Sequence, residues 1–165
     1  MSSTSILSPL EIEHKIRRIA YQIYETFADE KEIVIAGING NGYIFAEKIV
    51  KVFSEISPVK VLLCEVKIDK KNPMKPLSAS LSEAEYKNKA VVLVDDVLHS
   101  GTTLIYGVKF FLDTPIKKLK TAVLVNRNHK KFPIKADFKG ISLSTSFKEH
   151  VQVSFDKKDY GVYLS

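Results

Sequence analysis

The sequence predicts an α/β protein: a central, mostly parallel sheet flanked by helices, with a small hood or flap at the C-terminal end. Two observations carry this. Four apolar or nearly apolar runs, Ile33–Ile38, Val59–Val66, Ala90–Val94 and Thr121–Val125, are separated by other patterns, helical in two of the gaps. Strands covered on both faces need no polar alternation, and parallel neighbours need crossover connections. After Asn126 the texture shifts to short segments punctuated by Pro133, Gly140 and Gly161, as for an antiparallel flap or final strands beside a parallel core. A chain of 165 residues is one domain by size, spanning 1–165 with the hood at about 126–165, and buries a core without staples.

Each element has a local cause. Ser8-Pro9-Leu10-Glu11 is a helix start, with an N-cap serine, proline at the first helical position and a glutamate three residues after the cap. Ile12, Ile16, Ile19, Ile23 and Phe27 then recur at spacings of three or four and define one buried face. Arg17, Arg18, Tyr21 and Gln22 lie mostly off that face. The strand 33–38 leads through the turn-rich Asn39-Gly40-Asn41-Gly42 into a crossover helix marked by Ile44, Phe45, Ile49, Val52 and Phe53. Val59–Val66 is the third run, Asp69–Pro76 a loop, and 78–88 a polar, weakly periodic excursion expected to be partly mobile. A helix near Thr102–Leu112 and the strand Thr121–Val125 complete the alternation, and right-handed crossovers follow from it. Val151–Phe155 and Gly161–Leu164 nearly alternate and belong to the hood.

The chemistry concentrates in Ala90 through Thr103. An apolar strand ends on Asp95 and Asp96, and the loop Val97-Leu98-His99-Ser100-Gly101-Thr102-Thr103 opens the next helix. In open α/β sheets ligands bind beyond the carboxyl ends of the strands. Hydroxyls, backbone N–H groups and a helix N-terminus favour a phosphate there, whereas carboxylates suit the hydroxyls of a sugar. The local expectation is therefore a sugar-phosphate site. A phosphate-accepting receiver domain also ends a strand on paired acids. It needs a lysine at a later strand tip, however, and Val125 leads to Asn126.

Composition narrows the class. The net charge of +6 and pI near 9.2 suit phosphate-rich ligands or nucleic acid without requiring either. One cysteine, Cys64, allows no internal disulfide or cysteine metal cluster and is expected to be a buried thiol. Met1–Ser5 lacks the pattern of a secretory leader, and no run is apolar enough to span a bilayer, so a cytoplasmic protein with no membrane partner is expected.

The stretch 90–103 resembles the phosphoribosyl-pyrophosphate (PRPP) signature of type I phosphoribosyltransferases, with Ser100 where threonine is commoner. Ala122 through Gly140 resembles the hood region of the bifunctional pyrimidine-operon attenuator and uracil phosphoribosyltransferase family. Ser144-Thr145-Ser146, Arg18-Ile19-Ala20 and Gly37 through Ala46 extend the likeness. The resemblance implies the type I phosphoribosyltransferase fold and transfer of ribose-5-phosphate from PRPP to a nucleobase, uracil above others, with release of pyrophosphate. It implies Mg²⁺ carried mainly by PRPP without a dedicated protein cage, a homodimer or larger homo-oligomer, and RNA as a further partner. A nucleotide-responsive RNA-binding regulator, or a PRPP or nucleoside monophosphate sensor without catalysis, is the alternative on the same fold. By position, Asp95 and Asp96 would accept the ribose hydroxyls, and Val97 through Thr103 would hold the 5′-phosphate. Ile38, Asn39, Gly40 and Asn41 would form the pyrophosphate loop, and Asn126, Arg127, Phe138 and Lys139 would lie by the base. The purine enzymes carry an acid where His99 stands, which turns the expectation toward pyrimidines. His129 is expected to be a surface residue. Two departures stand out: the pyrophosphate loop has no charged residue, and the segment after Lys67 is short, with only Lys70, Lys71 and Lys75 as lid cations.

Overall fold

The computed structural model describes residues 2–165. Its core is a six-stranded sheet in the order β4-β3-β2-β5-β6-β7. The strands are β2 (Glu32–Ile38), β3 (Lys60–Lys67), β4 (Ser78–Ala79), β5 (Ala90–Leu98), β6 (Lys118–Arg127) and β7 (Phe138–Leu143). All pairings are parallel except β3 with β4. Helices α1 (Pro9–Phe27) and α2 (Asn41–Ile56) cover one face. The short α3 (Glu83–Tyr86) and α4 (Thr102–Leu112) cover the other. Alternation along β5 divides the two cores: Ala90, Val92 and Val94 point to the α1/α2 side, Val91 and Leu93 to the α4 side. The apolar runs Ile33–Ile38 and Ala90–Val94 of the central strands are buried because both faces are clothed.

The start of α1 is a complete capping box, with Ser8 Oγ accepting the Glu11 N–H (3.2 Å) and Glu11 Oε1 accepting the Ser8 N–H (3.1 Å). Its five periodic positions, Ile12, Ile16, Ile19, Ile23 and Phe27, are all buried. Cys64 is free and buried, and burial raises its thiol pKa.

Three parts of the chain depart from the expectation. β7 is a parallel strand of the main sheet, paired with β6 from Ala122↔Phe138 to Arg127↔Leu143, so the hood is smaller than 126–165. The hood itself is a three-stranded antiparallel sheet in the order β1-β9-β8, of β1 (Thr4–Leu7), β8 (Val151–Ser154) and β9 (Gly161–Leu164). Its first strand therefore comes from the other end of the chain. The segment 78–88, expected as a partly mobile excursion, is instead tied down. β4 pairs with the end of β3, α3 has its own capping box, and Tyr86 packs edge-on against Phe111.

Ser8→Ala removes one cap bond and is expected to lower unfolding free energy by about 1 kcal/mol. Phe111→Ala empties a fully buried ring site and is expected to lower it by about 3–5 kcal/mol. Denaturant titration of both variants checks the order.

Candidate active site

The site lies where β5 runs out. Asp95 and Val97 through Leu104 line one small cavity of about 60 Å³. Gly101 makes the turn from strand to helix with φ +87°, a conformation open to glycine at little strain. A side chain there would also strike Ile134, 2.4 Å from the Cβ position. α4 starts on this glycine with no side-chain cap, which leaves its first-turn N–H groups for an anion. Ser100 Oγ and Thr102 Oγ1 are 2.9 Å apart, and Ser100 Oγ also accepts the Thr102 N–H at 3.3 Å. The loop is braced from outside by Lys131 and Phe132, whose N–H groups donate to Ser100 O at 2.8 and 3.3 Å. The sequence reading missed that brace, since no local pattern links residues 131–134 to a loop 30 positions earlier.

The two carboxylates differ. Asp95 is only 5% exposed and accepts the Asp96 N–H on Oδ1 (2.9 Å). Asp96 is half-buried and its Oδ1 accepts the Val97 N–H (2.9 Å). Burial, then the Asp96 charge, raises the Asp95 pKa well above the carboxylate range, with Lys70 opposing. Opposite them, Gly40 caps α2 with φ +86° and Gly42 backs directly onto Asp95. A Cβ on Gly42 would lie 2.8 Å from Asp95 Oδ1. The Asn39–Asn41 loop and the acids thus share one wall, while the Ile38 side chain is core. His99 is exposed at the mouth, its pKa lowered first by desolvation and then by Arg127, His129 and His150.

The residues expected by the base divide. Asn126, next to last in β6, pairs with Leu98; its Nδ2 donates to Ser142 Oγ (3.3 Å) and its Oδ1 is buried without a partner. Arg127 is 4% exposed, with Nε and NH2 engaged by the loop 144–150. It donates from Nε and NH2 to Thr145 Oγ1 (3.0 and 2.7 Å) and from NH2 to Glu149 O (2.7 Å). Its guanidinium braces the loop 144–150 through these bonds. Phe138 is 7% exposed, its ring packed within the α1/α2 core. The carbonyls of Lys139 and Gly140 accept from Arg18 NH2 at 2.6 and 2.7 Å. His129 is half-buried, bonded to Thr145 O and stacked on the exposed Phe147 ring at 4.1 Å.

Because Asp95 binds its proton more tightly folded than unfolded, its stabilising share is full below the unfolded carboxylate pKa. It is lost as pH rises through the folded value. Asp95→Asn is therefore expected to raise the melting temperature at pH 8 by on the order of 5 °C and to flatten the decline between pH 4 and 8. Calorimetric melts across that range check it.

Residues 2–158 match the phosphoribosyl transferase domain. The bifunctional protein PyrR of Geobacter sulfurreducens is 35% identical over 161 residues, covering 93% of this chain and 91% of that protein. PyrR of Fusobacterium nucleatum subsp. nucleatum is 32% identical over 160 residues, covering 90% and 88%. Among solved structures, the hypoxanthine phosphoribosyltransferase of Trypanosoma cruzi superposes with a TM-score of 0.81 at 16% identity, covering 98% of this chain and 95% of that one. That last likeness speaks for the fold. With the domain spanning nearly all of the chain and relatives matched end to end, this protein belongs to the phosphoribosyltransferase family.

Proposed function

We infer that this chain transfers ribose-5-phosphate from PRPP to uracil, releasing pyrophosphate and forming the nucleoside monophosphate. The observation that carries the reading is the one cavity lined by Asp95 and by the hydroxyl and N–H groups of 97–104. Acceptors for ribose and donors for a phosphate meet there within a single strand-to-helix turn. In the reaction the C1′–oxygen bond to pyrophosphate breaks, a bond from C1′ to a ring nitrogen forms, and that nitrogen loses its proton. Asp96, the more accessible acid, and Asp95 accept from the 2′- and 3′-hydroxyls and fix the ring that gains positive character. Ser100 through Thr103 hold the 5′-phosphate. The N–H groups of Gly40–Gly42 and the uncapped α2 N-terminus face the leaving pyrophosphate. His99, with its pKa lowered, is neutral at pH 7 and able to accept the ring proton.

Among the described residues no group of three or more His, Cys, Asp or Glu stands ready to hold a metal. The paired acids and the PRPP oxygens together fit Mg²⁺ carried in by the substrate, where it would neutralise the pyrophosphate charge. No helix of the described chain is long and apolar enough to cross a membrane. With one free cysteine, we place the reaction in the cytoplasm.

The relatives' name, bifunctional protein, favours a second role, which we read as nucleotide-responsive binding of RNA. Arg17 lies over the Tyr21 ring at 5.7 Å, and Tyr21 is 44% exposed, giving α1 a basic, aromatic surface.

With PRPP, Mg²⁺ and a panel of bases, pyrophosphate release is expected with uracil, and Asp96→Asn is expected to lower kcat/KM about 100-fold or more. Turnover with hypoxanthine but not uracil would overturn the pyrimidine assignment. In filter binding to pyrimidine leader RNA, affinity is expected to fall steeply between 50 and 200 mM salt, roughly 10-fold or more, and to change with UMP. Salt-independent affinity would remove the second role.

A further inference from the structure

The β2–α2 turn is peculiar in what its side chains do. Asn39 extends β2 by donating its N–H to Val66 O at 2.8 Å, and its Oδ1 accepts the Ile68 N–H at 3.1 Å. Ile68, 5% exposed, is the buried stem from which the loop 69–77 departs. That loop closes on itself: Asp69 accepts from the N–H groups of Lys71 and Asn72 and pairs with Lys75 Nζ at 3.2 Å. It stands over the α4 side of the site, where Lys70 acts on Asp95. Asn41, the first residue of α2, reaches the other way. Its Nδ2 donates to Val153 O in β8 at 2.8 Å, 112 positions along the chain. One short turn therefore holds the stem of the loop with one amide and the hood with the other.

The backbone between the two amides is poised to receive an anion. Gly40 adopts φ +86° with open space around its Cβ position, α2 begins without a side-chain cap, and Gly42 rests on Asp95. Neither asparagine carries charge, and each directs its side chain away from the turn to a distant segment. An anion that orders the turn would also order what the amides grip, because each bond keeps its geometry only while its asparagine is held still.

We propose that Asn39 and Asn41 are positioning residues that fasten the 69–77 loop and the hood, respectively, to the pyrophosphate-binding turn. An anion seated there then steadies both arms around the base. The proposal rests on the transferase reading of this turn. It gives the two asparagines a role that charge could not serve: a lysine or arginine here would grip pyrophosphate directly, whereas an amide donor and an amide acceptor bridge to neighbouring backbone.

Hydrogen exchange on the full chain, with inorganic pyrophosphate plus Mg²⁺ and with PRPP plus Mg²⁺, tests it. In the wild type both additions are expected to slow exchange in residues 66–70 and in 151–155. Asn41→Ala is expected to lose the ligand-induced slowing in 151–155 by about five- to tenfold, the weight of one neutral hydrogen bond, while 66–70 stays protected. Asn39→Ala is expected to do the reverse. Asn41→Gln, which keeps the donor, is expected to recover part of the hood protection; Asn41→Asp, which lacks it, is not. A purely structural asparagine would alter exchange without ligand and leave the ligand-induced change intact in both segments, and that result overturns the relay. Protection lost in both segments from either single change overturns it too, since the two arms are separate bonds. A wild type unmoved by pyrophosphate and PRPP alike overturns the transferase reading of the turn and the relay with it.

Discussion

The close contact between the first turn of α2 and the end of β5 governs the rest of the site. Gly42 lies so near Asp95 that a Cβ would stand 3.2 Å from its Cα and 2.8 Å from Oδ1. That approach has three consequences at once. It desolvates Asp95 and, with Asp96 adjacent, holds its pKa high. It brings the N–H groups at the head of α2 to the same wall as the Asp95 carboxylate. It also fixes the turn 39–42 rigidly enough for its side chains to reach the stem of the 69–77 loop and the hood. A second glycine makes the matching approach on the other face: Gly107 of α4 sits 2.8 Å from Leu93 Cδ2 by its Cβ position. β5 is thus clasped from both sides by helices that begin beside its carboxyl end.

How much of this was legible in the sequence depends on how local the cause is. α1, β2, β5 and α4 were readable because cap residues, apolar runs and a glycine turn act within a few positions. The cavity at 95–104 was readable for the same reason, as its lining is nearly one contiguous segment. β1 was not, because Thr4–Leu7 is short and its partner, β9, lies at the far end of the chain. β7 was not, because it is an edge strand interrupted by Gly140, whose Cβ position is 2.4 Å from Leu124 O, and edge strands carry weak apolar patterns. Phe138 shows the limit most plainly. The motif around it gives no sign of which way the ring points; the packing of α1 over that face sets it into the core.

Arg127 and the turn 39–42 together decide where charge is available. Arg127 sets Nε and NH2 on Thr145 Oγ1, Ser146 O and Glu149 O, and so holds the 144–150 loop. Asn39 and Asn41 carry no charge, so in the proposed reaction an anion at the turn is held by backbone N–H groups and the α2 terminus, which are donors fixed in place by the fold. Such donors hold an anion through geometry more than through net charge. Their grip is therefore as good as the rigidity of the turn, and the bonds from Asn39 and Asn41 to Ile68 and Val153 are what keep that turn in place.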